Sequence, residues 1–320
     1  MRIEEIGEQG LIGLIQRVVS SRGNLKLGIG DDCLVLADGR TVLSTDCYAE
    51  GVHFDLNYLS YYDVGARCAC AALSDVVAMG AEPQVLLVGL LVPKQTGVQV
   101  VKRLYQGMER VCAELGAEIG GGDIVAFDRL VLCLTAVGST GRVISRSGAE
   151  PGDFVYLTGY AGLAETGRLI LAQKLSSRHA GPAVERHRFP WPRIGVMRRL
   201  RERISAMIDT SDGLATDVRH LSRLSQVRVV ISPARIPVHP ATVRLCQRLD
   251  IKLRDFVFRS GEDYELLFTS RSRIGPVVAG VPVHWIGKVE PGSGVYVEER
   301  GRREKLNITG YDHLKSGFNC

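Results

Sequence analysis

The sequence predicts an α/β protein with helices and strands mixed along the chain, arranged in two units, and three observations carry that reading. Stretches with apolar residues at helical spacing alternate throughout with short apolar runs bounded by Gly, Asp and Pro. The segment Ser147-Gly-Ala-Glu-Pro-Gly-Asp153 is a turn-rich junction after which a fresh strand begins. With 320 residues, 45% hydrophobic and 23% charged, there is material for two cores of about 150 residues each.

Leu11, Ile12, Leu14, Ile15, Val18 and Val19 set the spacing of a first helix. Leu25–Ile29, Leu34–Ala37 and Thr41–Ser44 then read as short strands separated by Gly and Asp. The Ala-rich stretch 62–79, with Val64, Ala71, Leu73, Val76 and Val77, predicts a helix; Pro83 punctuates, and Val85–Val92 is a buried strand ended by Pro93. A second amphipathic helix spans Gly97–Leu115, and a strand over Arg129–Val137 closes the first unit, with the boundary near residue 145. The second unit opens on the strand Phe154–Thr158, followed by a helix over Gly162–Leu175, a Pro-rich and basic loop through Pro192, and a helix reaching Arg203. Ala206–Ile208, Val227–Ile231, Glu265–Thr269, Val283–Ile286 and Val295–Val297 read as further strands, and Gly213–Leu224 and Ala241–Leu249 as helices. There is no short-period repeat.

Composition removes several function classes. No apolar run approaches the roughly 20 residues that cross a bilayer, and Met1-Arg-Ile-Glu-Glu5 is no secretory leader, so no membrane role and a cytoplasmic location are expected. The 8 cysteines are scattered, mostly in apolar runs, which predicts free thiols in a reducing compartment; Cys68-Ala-Cys70 lacks the further ligands of a zinc site. The net charge of +5 owes much to arginines between Arg186 and Arg203, and without interleaved aromatics this stretch reads as a solvated helix and loop, not a nucleic-acid surface.

The chemistry lies in the aspartates. They occupy Gly28-Ile-Gly-Asp-Asp32, Ser44-Thr-Asp46, Leu73-Ser-Asp75, Gly120-Gly-Gly-Asp123 and Asp209-Thr-Ser-Asp-Gly213, mostly after short apolar strands. Any one such loop is simplest read as a turn, because Asp and Gly dominate turns for backbone reasons. Several together point to a metal site, since Mg²⁺ takes hard oxygen ligands and bridges carboxylates to substrate phosphates. Gly120-Gly-Gly-Asp123 lets backbone N–H groups approach a phosphate as an anion-binding nest. No P-loop is present, as Gly287-Lys288 lacks both the upstream glycine and the following Ser or Thr, and the H-R-D and D-F-G motifs of protein kinases are absent. If ATP is handled, metal ions must neutralise the triphosphate. For Ser211, N-capping the helix near Gly213 is as good a reading as nucleotide contact.

Taken in order, these segments resemble the thiamine-monophosphate kinase family, of the superfamily that includes aminoimidazole ribonucleotide synthetase. The resemblance rests on Gly28-Ile-Gly-Asp-Asp-Cys33, Ser44-Thr-Asp46, Glu50-Gly-Val-His-Phe54, Leu73-Ser-Asp-Val-Val-Ala-Met-Gly-Ala81 and Gly121-Gly-Asp123 in the first unit. In the second it rests on Ser145-Arg-Ser-Gly-Ala149, Asp209-Thr-Ser-Asp-Gly-Leu-Ala215, Gly261-Glu-Asp-Tyr-Glu-Leu-Leu267 and Gly310-Tyr-Asp-His313. It implies the two-domain aminoimidazole ribonucleotide synthetase-like fold, with residues 1–145 binding ATP and Mg²⁺ and forming a homodimer, and residues 146–320 completing the nucleotide and substrate site. It also implies transfer of the ATP γ-phosphoryl group to the phosphate of thiamine monophosphate.

By the same resemblance Asp32, Ser44, Thr45, Asp46, Asp75, Asp123, Asp209 and Asp212 bind Mg²⁺, Thr45 through its backbone carbonyl, and Asp46, Asp75, Asp123 and Asp209 carry the catalytic role. Gly122, Asp123, Arg146 and Ser211 match ATP contacts, and Tyr105 lines the nucleotide pocket. His53, Glu262 and Tyr311 match contacts to thiamine phosphate, with Tyr311 stacking on a cationic ring and Glu262 meeting the ring's amino group or charge. Two departures from the family pattern, Ser260 for a glycine and Ile124-Val125 for threonines, touch loop geometry and leave every expected carboxylate in place. Competing readings are another ATP-dependent member of the superfamily, such as selenophosphate synthetase, and a non-catalytic nucleotide-binding scaffold. The Gly261-Glu-Asp-Tyr-Glu-Leu and Gly310-Tyr-Asp-His runs count against the first, and the intact acidic positions against the second.

Overall fold

The computed structural model of the chain describes residues 2–20, 22–175, 180–312 and 314. The first half comprises α1 (Ile3–Val18), β1 (Leu25–Leu27), β2 (Leu34–Leu36), β3 (Thr41–Ala49), α2 (Tyr61–Ala78), β4 (Glu82–Val92), α3 (Val98–Leu115), β5 (Glu118–Ala126) and β6 (Val131–Ser139). Its six strands form one sheet in the order β1-β2-β3-β6-β4-β5, antiparallel except at β4–β5. Helices α2 and α3 cover one face, where β6 buries Leu132, Leu134 and Ala136; on the other face Val131, Cys133, Thr135 and Val137 stay half-exposed. Ser60 caps α2 in a reciprocal box with Asp63, and almost the whole helix is buried.

The second half comprises β7 (Phe154–Thr158), α4 (Leu163–Ala172), α5 (Gly181–Arg188), α6 (Ile194–Leu200), β8 (Ala206–Asp209), α7 (Leu214–Leu224), β9 (Arg228–Ile231), α8 (Pro240–Arg248) and α9 (Leu253–Arg259). It ends with β10 (Leu266–Ser270), β11 (Val277–Val278), β12 (Val281–Glu290), β13 (Gly294–Glu299) and β14 (Arg302–Lys305). The second sheet runs β14-β13-β9-β12-β7-β10-β8, with β11 paired to β12. Each sheet has its own core, and a third apolar cluster joins them: Val77 and Ala78 from the end of α2 pack with Met197, Met207 and Phe268. The end of α2 therefore lies in the seam between the halves, close to where β8 delivers Asp209.

Several elements differ from expectation. Pro83 lies inside β4 opposite Gly138, and the register shift between Pro83 and Val85 accommodates its missing donor. Gly120–Asp123 is not a loop but part of β5, an extended edge strand. Gly122 has φ 155°, and a Cβ there would stand 1.9 Å from the Val88 carbonyl oxygen, so close packing on β4 requires glycine. The basic stretch expected as loop contains α5, which starts with Pro182 in its first turn. Helix α9, absent from the sequence reading, buries Phe256 and Phe258.

Candidate active site

Four aspartates converge at the seam. Asp32 comes from the β1–β2 loop, Asp46 from β3, Asp75 from α2 and Asp209 from the end of β8. One carboxylate oxygen each from Asp32, Asp75 and Asp209 lies within 4.8 Å of the others, and Asp46 is near enough to act electrostatically on both Asp75 and Asp209. Hydroxyls orient the group: Ser44 Oγ donates to Asp75 Oδ2 at 2.5 Å, Ser74 Oγ to Asp209 Oδ2 at 2.5 Å, and Tyr48 Oη to Asp46 Oδ2 at 3.0 Å. Arg146 Nε donates to Asp32 Oδ1 at 3.0 Å, and the Arg146 backbone N–H to Asp31 Oδ2 at 3.1 Å.

Electrostatically the carboxylates oppose one another. Burial and the neighbouring carboxylate Asp32 push Asp209 up to about 8, burial and Asp32 push Asp31 up to about 6, and Asp75 is raised by burial, then by Asp46, Asp209 and Asp32. Asp32 Oδ2 and Asp209 Oδ1 are buried without a hydrogen-bond partner among the described residues. Hard oxygen donors, mutual repulsion and orphaned oxygens together fit a divalent cation of the Mg²⁺ type.

The remaining expected ligands divide. Ser44 belongs to the cluster through Asp75. The Thr45 side chain faces the other side of the sheet, 3.1 Å from Thr135 Oγ1, which leaves only its backbone for an ion. Asp212 stands half-buried in the loop after β8, and beside it Asp217 of α7 is almost fully buried, with its pKa raised well above the usual range by burial, Asp212 and Asp209. Asp123 is not brought to the cluster within one chain. It is exposed on edge strand β5, in a row with Gly89, Cys133 and Cys47, hence on the face opposite Asp46. The row through Asp46 crosses Leu134 and Val88 to reach Gly122, three strand spacings or roughly 14 Å away. Tyr105 is half-buried on α3 against the first core.

The loop before β10 is strapped to the loop after β8. Glu262 N–H donates to the Ser211 carbonyl at 2.8 Å, Tyr264 N–H to the Thr210 carbonyl at 2.9 Å, and Tyr311 N–H to the Asp212 carbonyl at 2.9 Å. Glu262 and Tyr264 have φ of 61° and 48°, strain that these bonds hold in place. A Cβ on Gly261 would lie 2.2 Å from the Ser211 carbonyl oxygen, so the strap needs glycine there. Ser211 is not the N-cap of α7; Gly213 takes that position without a side-chain bond. Glu262 and Tyr311 are close enough for the carboxylate to help raise the phenol, after burial, and Tyr311 is 39% exposed. His53 sits just after β3, its Nδ1 accepting the Ala49 N–H at 3.0 Å and its ring edge-on to Tyr48 at 5.7 Å. His313 lies outside the described residues. Residue-type reasoning missed Ser74, Tyr48 and Asp217; Ser74 and Asp217 had a signal in their place beside the Leu73-Ser-Asp and Asp-Gly-Leu runs.

Residues 30–142 match the family model for AIR synthase related protein, N-terminal domain. Over nearly its whole length the chain is similar to the thiamine-monophosphate kinase of Aquifex aeolicus (strain VF5), at 32% identity over 319 residues, 98% of this chain and 100% of the relative. It is similar also to the thiamine-monophosphate kinase of Escherichia coli (strain K12), at 33% identity, 96% of this chain and 98% of the relative. The solved structure of AaThiL complexed with AMPPCP and TMP matches with a TM-score of 0.89 and 32% identity, covering 98% of this chain and 99% of that one. Among the described residues no helix is long and apolar enough to cross a membrane.

Proposed function

The chain belongs to the thiamine-monophosphate kinase family, and on that premise we propose that it transfers the γ-phosphoryl group of ATP to the phosphate of thiamine monophosphate, giving thiamine diphosphate and ADP. The observation that carries the reading is the convergence of Asp32, Asp75 and Asp209 on one point of the seam, beside the strapped loop of Glu262. Asp32, Ser44, Asp46, Asp75, Asp209 and Asp212, with the Thr45 carbonyl, would hold Mg²⁺. When bound, Mg²⁺ supplies the positive charge that lets two polyanions approach and that stabilises the transferring group.

The chain's own residues then position. Ser44, Ser74 and Tyr48 fix the carboxylates by hydrogen bonds, so little reorganisation is left for the reaction. Arg146, already seated on Asp32, offers a guanidinium to the nucleotide phosphates. Ser211 and Tyr105 remain proposed nucleotide contacts. A phosphate monoester has a second pKa of about 6 and is largely dianionic at neutral pH, so no general base is required. His53, with Nδ1 already accepting a backbone N–H, is a binding residue and not a proton acceptor at that nitrogen. Glu262 and Tyr311 take the heterocyclic end of the acceptor.

Gly122 and Asp123 serve this site if a second copy supplies them. Their distance from Asp46 across the sheet supports a homodimer, as do exposed Leu87, Ile124, Val125 and Phe127 along the β4–β5 edge. In this reading residues 1–145 bind ATP and Mg²⁺ and form the dimer, residues 146–320 complete the site, and the reaction runs in the cytoplasm, where ATP is supplied. ADP release from ATP, Mg²⁺ and thiamine monophosphate tests the proposal: turnover with the monophosphate and little with free thiamine is expected, whereas no turnover, or efficient phosphorylation of thiamine, overturns it.

A further inference from the structure

Glu262 is recognisable from its motif, but the motif does not say what holds its carboxylate. The side chain rises from a left-handed backbone position and is 33% exposed, and Oε2 lies 2.7 Å from a guanidinium nitrogen of Arg67, its sole ion-pair partner among the described residues. Arg67 comes from the other half of the molecule, within α2, and its side chain is only 4% exposed. Its other amino group donates to the His187 carbonyl at the end of α5. A buried guanidinium is tolerated only when paired and hydrogen-bonded, and Arg67 spends one nitrogen on the backbone and the other on a carboxylate that reaches solvent.

The same helix carries Asp75, two turns further on, about 12 Å along its axis at 1.5 Å per residue. Capped at Ser60 and buried almost throughout, α2 is a rigid spacer with the phosphate end of the site at Asp75 and the heterocycle end at Arg67. The loop bearing Glu262 is tied by backbone bonds to the 210–212 segment, but those bonds leave its side-chain torsions free. Arg67 removes that freedom.

We propose that Arg67 is a positioning residue for the acceptor: it holds the Glu262 carboxylate at a set distance from the acidic cluster, so that the site selects a phosphate monoester whose amino-bearing or cationic ring lies at the far end of the molecule. This rests on the functional reading above. Losing the pre-set carboxylate makes the acceptor pay the ordering of a glutamate side chain on binding, which corresponds to roughly a three- to tenfold rise in KM. A strut that merely supports the fold would instead lower stability and affect both substrates.

The test is a cycle of Arg67→Met, Glu262→Gln and the double variant, with Arg67→Lys as the conservative control, reading KM for thiamine monophosphate, KM for ATP, kcat and thermal midpoint. The expected result is that Arg67→Met raises KM for the acceptor with far less change in kcat and in KM for ATP, that Arg67→Lys recovers most of the loss, and that Arg67→Met adds little on the Glu262→Gln background. Full additivity on that background, or an equal effect on both substrates, overturns the inference while leaving the kinase reading intact. If Arg67→Met does not fold, Arg67→Gln, which keeps a polar donor toward the His187 carbonyl and drops the charge that holds Glu262, is carried through the same cycle with the same criteria. A wild-type chain inactive on thiamine monophosphate overturns the functional reading and this inference with it.

Discussion

Asp46 and Asp123 stand on strands of one sheet, yet they meet opposite surroundings. Asp46 lies on the helix-covered face, bonded to Tyr48 and within electrostatic reach of Asp32, and burial holds its carboxyl above the ordinary range. Asp123 lies on the open face at the exposed edge, and one of its oxygens accepts the N–H of its own neighbour Ile124 at 2.9 Å. The difference teaches that sheet register decides which carboxylates a single chain can bring together. The side of β3 that carries Asp46 is assembled by α2, β8 and the β1–β2 loop of the same molecule, whereas no strand among the described residues pairs with the outer edge of β5.

The comparison breaks most sharply at its buried end. Asp46→Asn removes a charge without opening a cavity, so the fold should persist while turnover falls to background; circular dichroism with the ADP-release assay checks both, and full activity at ordinary Mg²⁺ would contradict the assignment.

A smaller effect follows from the raised carboxyls. Asp31 at about 6 and Asp209 at about 8 lie above the 3.8 of an ordinary aspartate, so the folded state binds the extra protons. Their contribution to stability is full below that value and is lost as pH rises through about 6 to 8. Chelated protein should therefore melt at a lower temperature at pH 8 than at pH 6, and added Mg²⁺ should raise the midpoint more at pH 8. At a hundredfold excess over Kd the ion adds about 2.7 kcal/mol. Equal Mg²⁺ responses at the two pH values would remove the cluster as the binding site.

The smallest expected change is at the acceptor end. Tyr311→Ala loses a ring stacked on a cation, worth roughly 0.5 to 2 kcal/mol, so KM for thiamine monophosphate should rise severalfold to about thirtyfold with little effect on ATP. Steady-state kinetics in both substrates would show a reversed pattern if the two pockets were exchanged.

How far the site could be read from residue types follows the same division. Asp32 and Asp209 were legible because each follows or ends an apolar strand, whereas Asp46 and Asp75, expected in loops, stand inside β3 and α2, where the helix-covered face of β3 carries Ser44 and Asp46 between Val42 and Tyr48. The Gly120–Asp123 run was misread as a loop because glycine signals both turns and close strand packing, and only the 1.9 Å approach to Val88 tells them apart. Helix α5 was hidden because proline and arginine suggest a loop, although proline also starts helices. Arg67 had no local signal at all: a charge inside a helix reads as solvent-facing until the partner carboxylate, far along the chain, is known to cover it.

The central claim, that β5 serves a cluster it cannot reach within its own chain, is tested most directly by mixing two inactive variants. Asp46→Asn and Asp123→Asn chains co-expressed with different tags give heterodimers in which one site carries both defects and the other carries none. If Asp123 acts across the dimer, the statistical mixture should recover about a quarter of wild-type activity, and purified heterodimers about half. Activity no higher than that of either variant alone, with heterodimers present, would contradict the account and require Asp46 and Asp123 to act within one chain.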